Sequence, residues 1–196
     1  MIEYVPAFTN VTIYYDCFQA AKLTQDYNVL SPYEVLKSMV EKILLQINVK
    51  EDQVQEIVEI PVCYGGEYGP DLEIVAKHNQ LTADEVIKIH SDELYLIYMI
   101  GFAPGFPYLG GLSDKIATPR RQSPRLKIPA GTVGIAGNQT GVYPIETPGG
   151  WQLIGRTPLK LFNPESSTPT LLKAGNYIRF IPISPNEYEQ LLEVED

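Results

Sequence analysis

The stretch 129–158, PAGTVGIAGNQTGVYPIETPGGWQLIGRTP, indicates a β fold because short apolar runs alternate in it with glycine and proline turns. Runs of this length, such as TVGIA (132–136) and GWQLIG (150–155), are typical of strands that are joined by tight turns. The run YIRFIPI (177–183) continues the pattern towards the C-terminus. We therefore predict a mostly β domain, which is either a barrel or a sandwich.

The chain before this domain has the pattern of a small module of one strand and one helix. NVTIYYD (10–16) alternates apolar and polar residues, as a half-buried strand does. Ser31 and Glu34 have the spacing of a capping box, which predicts the start of a helix. After them, apolar residues recur at intervals of three and four as far as Ile47, and we expect this stripe to be core.

The charged segment NVKEDQ (48–53) is the best candidate for a linker. We therefore divide the chain into a small module at 1–54 and a β domain at 55–196, which gives an α+β protein. Within the second part, Thr82 and Glu85 predict another capped helix, and the apolar run that follows it predicts a buried strand.

Composition excludes several classes of protein. The 196 residues carry a formal net charge of -9, which argues against nucleic acid because phosphate contacts need a basic face. The longest apolar run is about half of the roughly 20 residues that span a bilayer, and the N-terminus lacks a signal-peptide pattern. We expect a soluble cytoplasmic protein with no membrane partner. Residues 114–160 nevertheless carry seven basic and two acidic side chains, so this segment could attract a small anion into a cleft.

The segment GFAPGFPYLGGL (101–112) combines four glycines, two prolines and three aromatic residues. Prolines stiffen a loop, and aromatic side chains supply large surfaces at little entropic cost. We expect a stiff loop that displays aromatic faces to a ligand; the alternative is that these aromatic residues plug one end of the barrel. A second glycine-rich stretch could bring backbone N–H groups close to a ligand. Its glycines are Gly131, Gly134, Gly137 and Gly141.

Three motifs together resemble the family of the 5-oxoprolinase B subunit, also known as the KipI kinase-inhibitor family and as allophanate hydrolase subunit 1. They are VCYGGEYGPDLEIVAKHNQL (62–81), YMIGFAPGFPYLGGL (98–112) and PRLKIPAGTVGIAGNQTGVYPIETPGGWQLIGRTPLKLF (124–162). The resemblance runs from about Tyr4 to the C-terminus. Members usually carry a further segment with a Gly-Asp-x-Ala-type motif before the first strand, whereas this sequence starts at MIEYVPAF, so a shortened small module is expected.

The resemblance implies a fold and three functions. The fold is a small N-terminal α/β module followed by a cyclophilin-like antiparallel β-barrel. The first function is that of the B subunit of an ATP-dependent 5-oxoprolinase, which hydrolyses 5-oxo-L-proline to L-glutamate together with its A and C subunits. The assembled complex uses ATP with magnesium, and no cofactor is assigned to this chain. The alternatives are a KipI-like inhibitor of a sporulation histidine kinase and the part of a urea carboxylase carboxyltransferase called allophanate hydrolase subunit 1.

Several kinds of catalytic site are missing from the sequence. It contains no P-loop, no G-x-S-x-G elbow and no histidine pair at metalloprotease spacing, so we expect no metal site and no self-contained nucleophile. The Phe-His-Arg signature of prolyl isomerases is also missing. A site completed by another polypeptide is therefore the expectation.

The implied reaction involves a carboxylate, phosphate oxygens and a charge that develops on the amide oxygen, which arginines and oriented N–H donors can stabilise. The catalytic candidates are Asp71, His90, Arg120, Arg125 and Arg156. Asp71 and His90 are the acid–base candidates, although a carboxylate in a first helical turn or a histidine near a helix end can be purely structural. Arg121 and Lys127 are expected to be solvated.

The substrate-binding candidates come from the two glycine-rich stretches. They are Phe102, Pro104, Phe106, Tyr108, Gln139, Tyr143 and Trp151. Tyr143 and Trp151 also have alternatives, because Tyr143 could be core with a satisfied hydroxyl and Trp151 could pack against a partner protein. A small anionic substrate is expected to bind among them.

Overall fold

The computed structural model describes residues 2–7, 10–23, 31–46 and 55–195. The chain separates into two compact units, Met1–Val54 and Gln55–Asp196. That these units fold as independent domains stays a prediction, and the candidate linker 48–53 lies outside the described residues.

The first unit pairs two strands and adds two helices. They are β1 (Glu3–Pro6), β2 (Val11–Tyr14), α1 (Cys17–Ala21) and α2 (Pro32–Gln46). The strands are antiparallel, which confirms the strand predicted from the alternation in NVTIYYD. The capping box is also confirmed: the Ser31 amide donates to Glu34 Oε2 at 2.8 Å, and the Glu34 amide donates to Ser31 Oγ at 3.3 Å.

The prediction that the apolar stripe of α2 is core is wrong for the residues described. No side chain of α2 is buried, and Ile43 and Leu44 are more than half exposed. Within the described part of this unit, a two-stranded ribbon and a five-residue helix offer too little surface to cover a helix of 15 residues. Ile47, the last residue of the stripe, lies outside the described residues.

The second unit contains nine strands and three α-helices among its described residues. The strands are β3 (Ile57–Tyr64), β4 (Tyr95–Ile100), β5 (Pro107–Gly110), β6 (Arg125–Ile128), β7 (Thr132–Ala136), β8 (Gln139–Val142), β9 (Thr147–Gly149), β10 (Gln152–Arg156) and β11 (Tyr177–Ile183). The helices are α3 (Leu72–His78), α4 (Ala83–Asp92) and α5 (Pro185–Glu195). The predicted strands TVGIA, GWQLIG and YIRFIPI and the capping box of Thr82 and Glu85 are confirmed.

Seven strands form a barrel-like sheet in the order β5-β4-β11-β3-β10-β7-β8. Adjacent strands of this sheet are antiparallel, with one exception: β3 and β11 run parallel to each other. The end strands β5 and β8 are in contact, so the sheet nearly closes. Strands β6 and β9 form a separate antiparallel ribbon. The α+β class is therefore confirmed, and the likeness to cyclophilin stays a prediction.

The core fills the inside of the nearly closed sheet. Its largest fully buried members include Tyr95, Phe180, Ile60 and Ile97. A second, smaller cluster joins Ile128, Tyr143 and Leu153, with Trp151 packed against it. Each helix in the described part of the chain is too short or too polar to span a bilayer.

Candidate functional site

A cavity of about 300 Å³ lies where the end strands of the sheet meet. Its walls come from β5 and the segment that leads into it, from β8, from β9 and its connection to β10, and from Arg120. Six of the seven predicted substrate-binding residues and one predicted catalytic residue line it. They are Phe102, Phe106, Tyr108, Gln139, Tyr143, Trp151 and Arg120. Pro104 is exposed and does not line the cavity.

Phe106 lies at the centre of an aromatic cluster. Its ring centroid is 5.4 Å from that of Tyr108, 5.6 Å from Phe102, 6.1 Å from Trp151 and 6.3 Å from Tyr143. All four pairs are edge-to-face, an arrangement that aromatic rings favour. The cavity therefore has fixed, apolar walls.

Gly141 makes room for two of these rings. A Cβ atom at this position would lie 3.2 Å from Trp151 and 3.3 Å from Phe106, closer than most side-chain contacts allow. The sequence predicts that the other glycines offer their backbone N–H groups to a ligand. This prediction is wrong for two of them, because their N–H groups already donate to backbone carbonyls. The amide of Gly131 donates to the carbonyl of Tyr143, and that of Gly137 donates to the carbonyl of Thr118, both at 2.7 Å.

Arg120 carries the one formal charge among the described residues that line the cavity. Its Cζ atom lies 6.0 Å from the centre of the Trp151 ring, within the range of a cation–π contact. Burial raises the pKa of Tyr143, so its hydroxyl stays protonated at neutral pH and can donate a hydrogen bond. A cavity with apolar walls, one cation and polar groups at Gln139 and Tyr143 suits a small anion with apolar faces.

Asp71 and Arg125 meet each other, but they do not line the cavity. The Asp71 side chain is 2% exposed, and its Oδ1 accepts from Arg125 Nη2 at 2.8 Å and from Arg121 Nη1 at 3.2 Å. Its Oδ2 accepts from the Leu153 amide at 2.8 Å. The prediction that Arg121 is solvated is therefore wrong, whereas Lys127 is 78% exposed and pairs with Glu146.

His90 is fully buried inside the sheet and does not line the cavity. Its ring stacks on Phe180, Nδ1 lies 2.8 Å from the Tyr64 hydroxyl, and Nε2 lies 2.8 Å from Thr140 Oγ1. Because the Thr140 hydroxyl donates its proton to the Gly134 carbonyl, it accepts from Nε2–H, which leaves Nδ1 as the acceptor. Burial lowers the pKa of His90 to about 3, so the ring is neutral at physiological pH.

Arg156, the remaining catalytic candidate, is also outside the cavity lining. Its Nε donates to the carbonyl of Ala130 at 3.0 Å. Of the five catalytic candidates, the structure thus brings only Arg120 to the predicted substrate-binding residues.

Residues 1–172 match the family described as carboxyltransferase domain, subdomain C and D. The chain belongs to this family. It is 56% identical over 192 residues to a protein of Bacillus subtilis named as the B subunit of 5-oxoprolinase, an alignment that covers 98% of this chain and 80% of that protein. A protein of Haemophilus influenzae with the same name is 45% identical over 181 residues, covering 92% of this chain and 79% of the relative.

A solved structure shares the fold of this member of the carboxyltransferase C and D family. It is a conserved uncharacterized protein of Pyrococcus horikoshii, with a TM-score of 0.66, 46% identity and coverage of 95% of this chain and 81% of that chain. A more distant relative, named putative urea carboxylase, from Emericella nidulans, is 24% identical over 151 residues. The alignment covers 72% of this chain but only 12% of that protein.

The candidates from the sequence do not include Arg121, which binds Asp71 next to the site. Arg121 is predicted to be solvated, yet it joins Arg125 at the buried carboxylate of Asp71. No pattern in the sequence pairs Arg121 with Asp71, because the two residues lie 50 positions apart and meet only through the tertiary fold.

Proposed function

We propose that this chain is the B subunit of a cytoplasmic, ATP-dependent 5-oxoprolinase and that its aromatic cavity binds 5-oxo-L-proline. The observation that carries the proposal is Arg120, the one cation that the described part of the chain places in a cavity of about 300 Å³ with aromatic walls. The names of the relatives from Bacillus subtilis and Haemophilus influenzae support the same reaction.

Each part of the substrate has a matching group in the cavity. The carboxylate of 5-oxo-L-proline would pair with the guanidinium of Arg120. The apolar ring carbons would pack on the faces of Phe106 and Trp151. The Gln139 amide and the protonated Tyr143 hydroxyl are left to hydrogen-bond the lactam group.

The groups that break the lactam bond are assigned to partner subunits. In the reaction the amide C–N bond breaks, a hydroxyl from water joins the carbonyl carbon, and the nitrogen gains a proton. This step needs a base or an activated carbonyl, whereas Asp71 and His90 do not line the cavity and are held by other contacts. This chain would therefore bind and orient the substrate in a site that the A and C subunits complete.

ATP and magnesium do not fit the residues of this cavity. No carboxylate lines it, and the described part of the chain holds no group of three His, Cys, Asp or Glu that could bind a metal ion. Magnesium prefers oxygen ligands, often carboxylates, beside the phosphates. We therefore assign ATP to the partner subunits and derive no step through it on this chain.

Reconstitution tests the proposal. The chain is mixed with purified homologues of the A and C subunits from the same organism, and glutamate formation from 5-oxo-L-proline is measured with and without ATP. We expect turnover only with all three proteins and ATP. Arg120→Ala should lower kcat/KM roughly 10- to 100-fold, because a charge-assisted bond to a carboxylate is lost.

Lys127→Ala is the matched control, because it removes another cation of the same basic segment and should leave turnover unchanged. Arg156→Ala tests whether Arg156, another of the three predicted arginines, takes part in turnover. Inactivity of the complete mixture would contradict the proposal.

Carboxyl transfer is the second candidate function. The family description and the distant relative named putative urea carboxylase favour it, and a transferred carboxyl group would also suit Arg120. Its test is carboxylation of urea by this chain mixed with a biotin carboxylase partner. If both mixtures are inactive, lowered autophosphorylation of a sporulation histidine kinase in the presence of this chain would favour the inhibitor role.

A further inference from the structure

The placement of Arg120 depends on the residues on either side of it. Gln152 Nε2 donates to the carbonyl of Pro119 at 2.9 Å, which fixes the preceding residue. The amide of Arg121 donates to the carbonyl of Gly150 at 2.7 Å, which fixes the following residue. Gly150 and Gln152 are the two neighbours of Trp151, so these bonds hold the segment of Arg120 beside the ring.

Asp71 joins the same two segments through its side chain. One carboxylate oxygen accepts from Arg121, and the other accepts from the amide of Leu153, two residues beyond Trp151. The amide of Asp71 also donates to the carbonyl of Leu153 at 2.8 Å. A single buried carboxylate thus connects the segment that carries Arg120 to the strand that follows Trp151.

The second arginine extends this connection to the ribbon beside the cavity. Arg125 Nη2 donates to Asp71 at 2.8 Å, and Arg125 pairs in β6 with Gly149 of β9, which lines the cavity. We infer that Asp71 is a positioning residue, which holds Arg120 over Trp151 without touching the cavity itself. The inference rests on the proposed function only in giving Arg120 a substrate to bind.

Stability alone is a weak explanation for this arrangement. A buried ion pair often contributes no more to stability than well-packed apolar residues of similar volume, because its charges must be desolvated. Two guanidinium groups around one carboxylate do, however, fix the direction of the chain at both arginines. Arg120, one residue before Arg121, therefore has a defined position relative to the indole.

The test uses Trp151, which is the single tryptophan of the sequence. Collisional quenching by iodide and by caesium reports the sign of the charge next to the ring. With Arg120 in place, iodide should quench better and caesium worse, by about twofold for a unit charge at this distance in salt water. Arg120→Ala should remove this preference in the otherwise wild-type chain.

The decisive quantity is the effect of Arg120→Ala in the presence and absence of Asp71. In the wild type, Arg120→Ala should change the ratio of iodide to caesium quenching. In the Asp71→Asn background, the same substitution should change that ratio much less. Comparing the two backgrounds cancels the charge that Asp71→Asn itself changes. Arg121→Gln, a partly exposed position, is the second variant if Asp71→Asn does not fold, and it should uncouple Arg120 in the same way.

Equal effects of Arg120→Ala in both backgrounds would overturn the inference. The reconstituted enzyme provides an independent measurement, since kcat/KM of the Asp71→Asn, Arg120→Ala double variant should be no lower than that of Arg120→Ala. Additive losses would also overturn it. Because quenching needs no substrate, failure of the 5-oxoprolinase proposal would leave the quenching result unaffected, and the two failures are distinguishable.

Discussion

His90 lies near the end of α4. A histidine at such a place can act in catalysis, cap the helix or be buried in the core. The structure buries His90 between Phe180, Tyr64 and Thr140, which come from β11, β3 and β8. Only the tertiary contacts decide this, because they come from elements distant in the chain.

The buried ring gives a testable dependence of stability on pH. The pKa of His90 is about 3 in the folded chain, against about 6.5 when unfolded, so below pH 6.5 the unfolded state binds the extra proton. Stability from this residue is therefore present above pH 6.5 and lost as the pH falls. Between pH 7 and pH 5, the free energy of unfolding of the wild type should fall by about 2 kcal/mol more than that of His90→Gln.

The measurement is the free energy of unfolding in urea at the two pH values for both proteins. Glutamine can still bond to Tyr64 and Thr140 but does not titrate, so it is the matched variant. Parallel pH dependence of the two proteins would contradict the assignment of a buried, neutral histidine.

The two adjacent arginines show why the site could be predicted only in part. The basic segment and its arginines are visible in the sequence, and so are the aromatic residues that meet Arg120 in the cavity. Arg121 binds Asp71, which lies 50 residues earlier in the chain, instead of lining the cavity beside Arg120. Side-chain partners at such distances follow from the sheet topology, which the apolar pattern alone does not fix.

At the level of elements, the predicted loop between β4 and the following segment is partly a strand. The predicted loop 101–112 contains the edge strand β5, which is bonded to β4. Before that strand, the Ala103 amide donates to the Gly101 carbonyl at 2.8 Å, and Phe102 has a φ of +66°. This is a γ-turn of the rare form with a positive φ, which strains a bulky residue.

The strain at Phe102 predicts an inverted order of stability for two substitutions. Both Phe102→Gly and Phe102→Ala remove a ring that is 77% exposed, so they lose similar contacts. Glycine adopts a positive φ freely and alanine does not. We expect Phe102→Gly to be more stable than Phe102→Ala by about 1 kcal/mol, whereas the opposite order holds at ordinary positions.

Thermal or urea unfolding of the pair measures this difference, and ligand binding provides the second comparison. Both variants should weaken binding of 5-oxo-L-proline to a similar extent, because each lacks the part of the aromatic wall that Phe102 supplies. A more stable alanine variant would show that the backbone at this turn is not strained.

For the whole molecule, closure of the sheet creates the site. The contact of β5 with β8 brings the segment around Phe106 to Gly141 and Trp151, which lie in different parts of the sequence. The short apolar runs predict the strands. They do not decide between a sandwich and a barrel, because both architectures bury the same runs. The apolar stripe of α2 failed as a prediction because periodicity indicates an apolar face without indicating what covers it.

Titration of this chain alone with 5-oxo-L-proline, followed by the fluorescence of Trp151, tests whether the aromatic cavity binds the substrate through Arg120. We predict a saturable change in the wild type and in Lys127→Ala, and none in Arg120→Ala or with 2-pyrrolidone, which keeps the lactam but lacks the carboxylate. An equal change in Arg120→Ala or with 2-pyrrolidone, or no change with 5-oxo-L-proline up to millimolar concentrations, would contradict this binding mode.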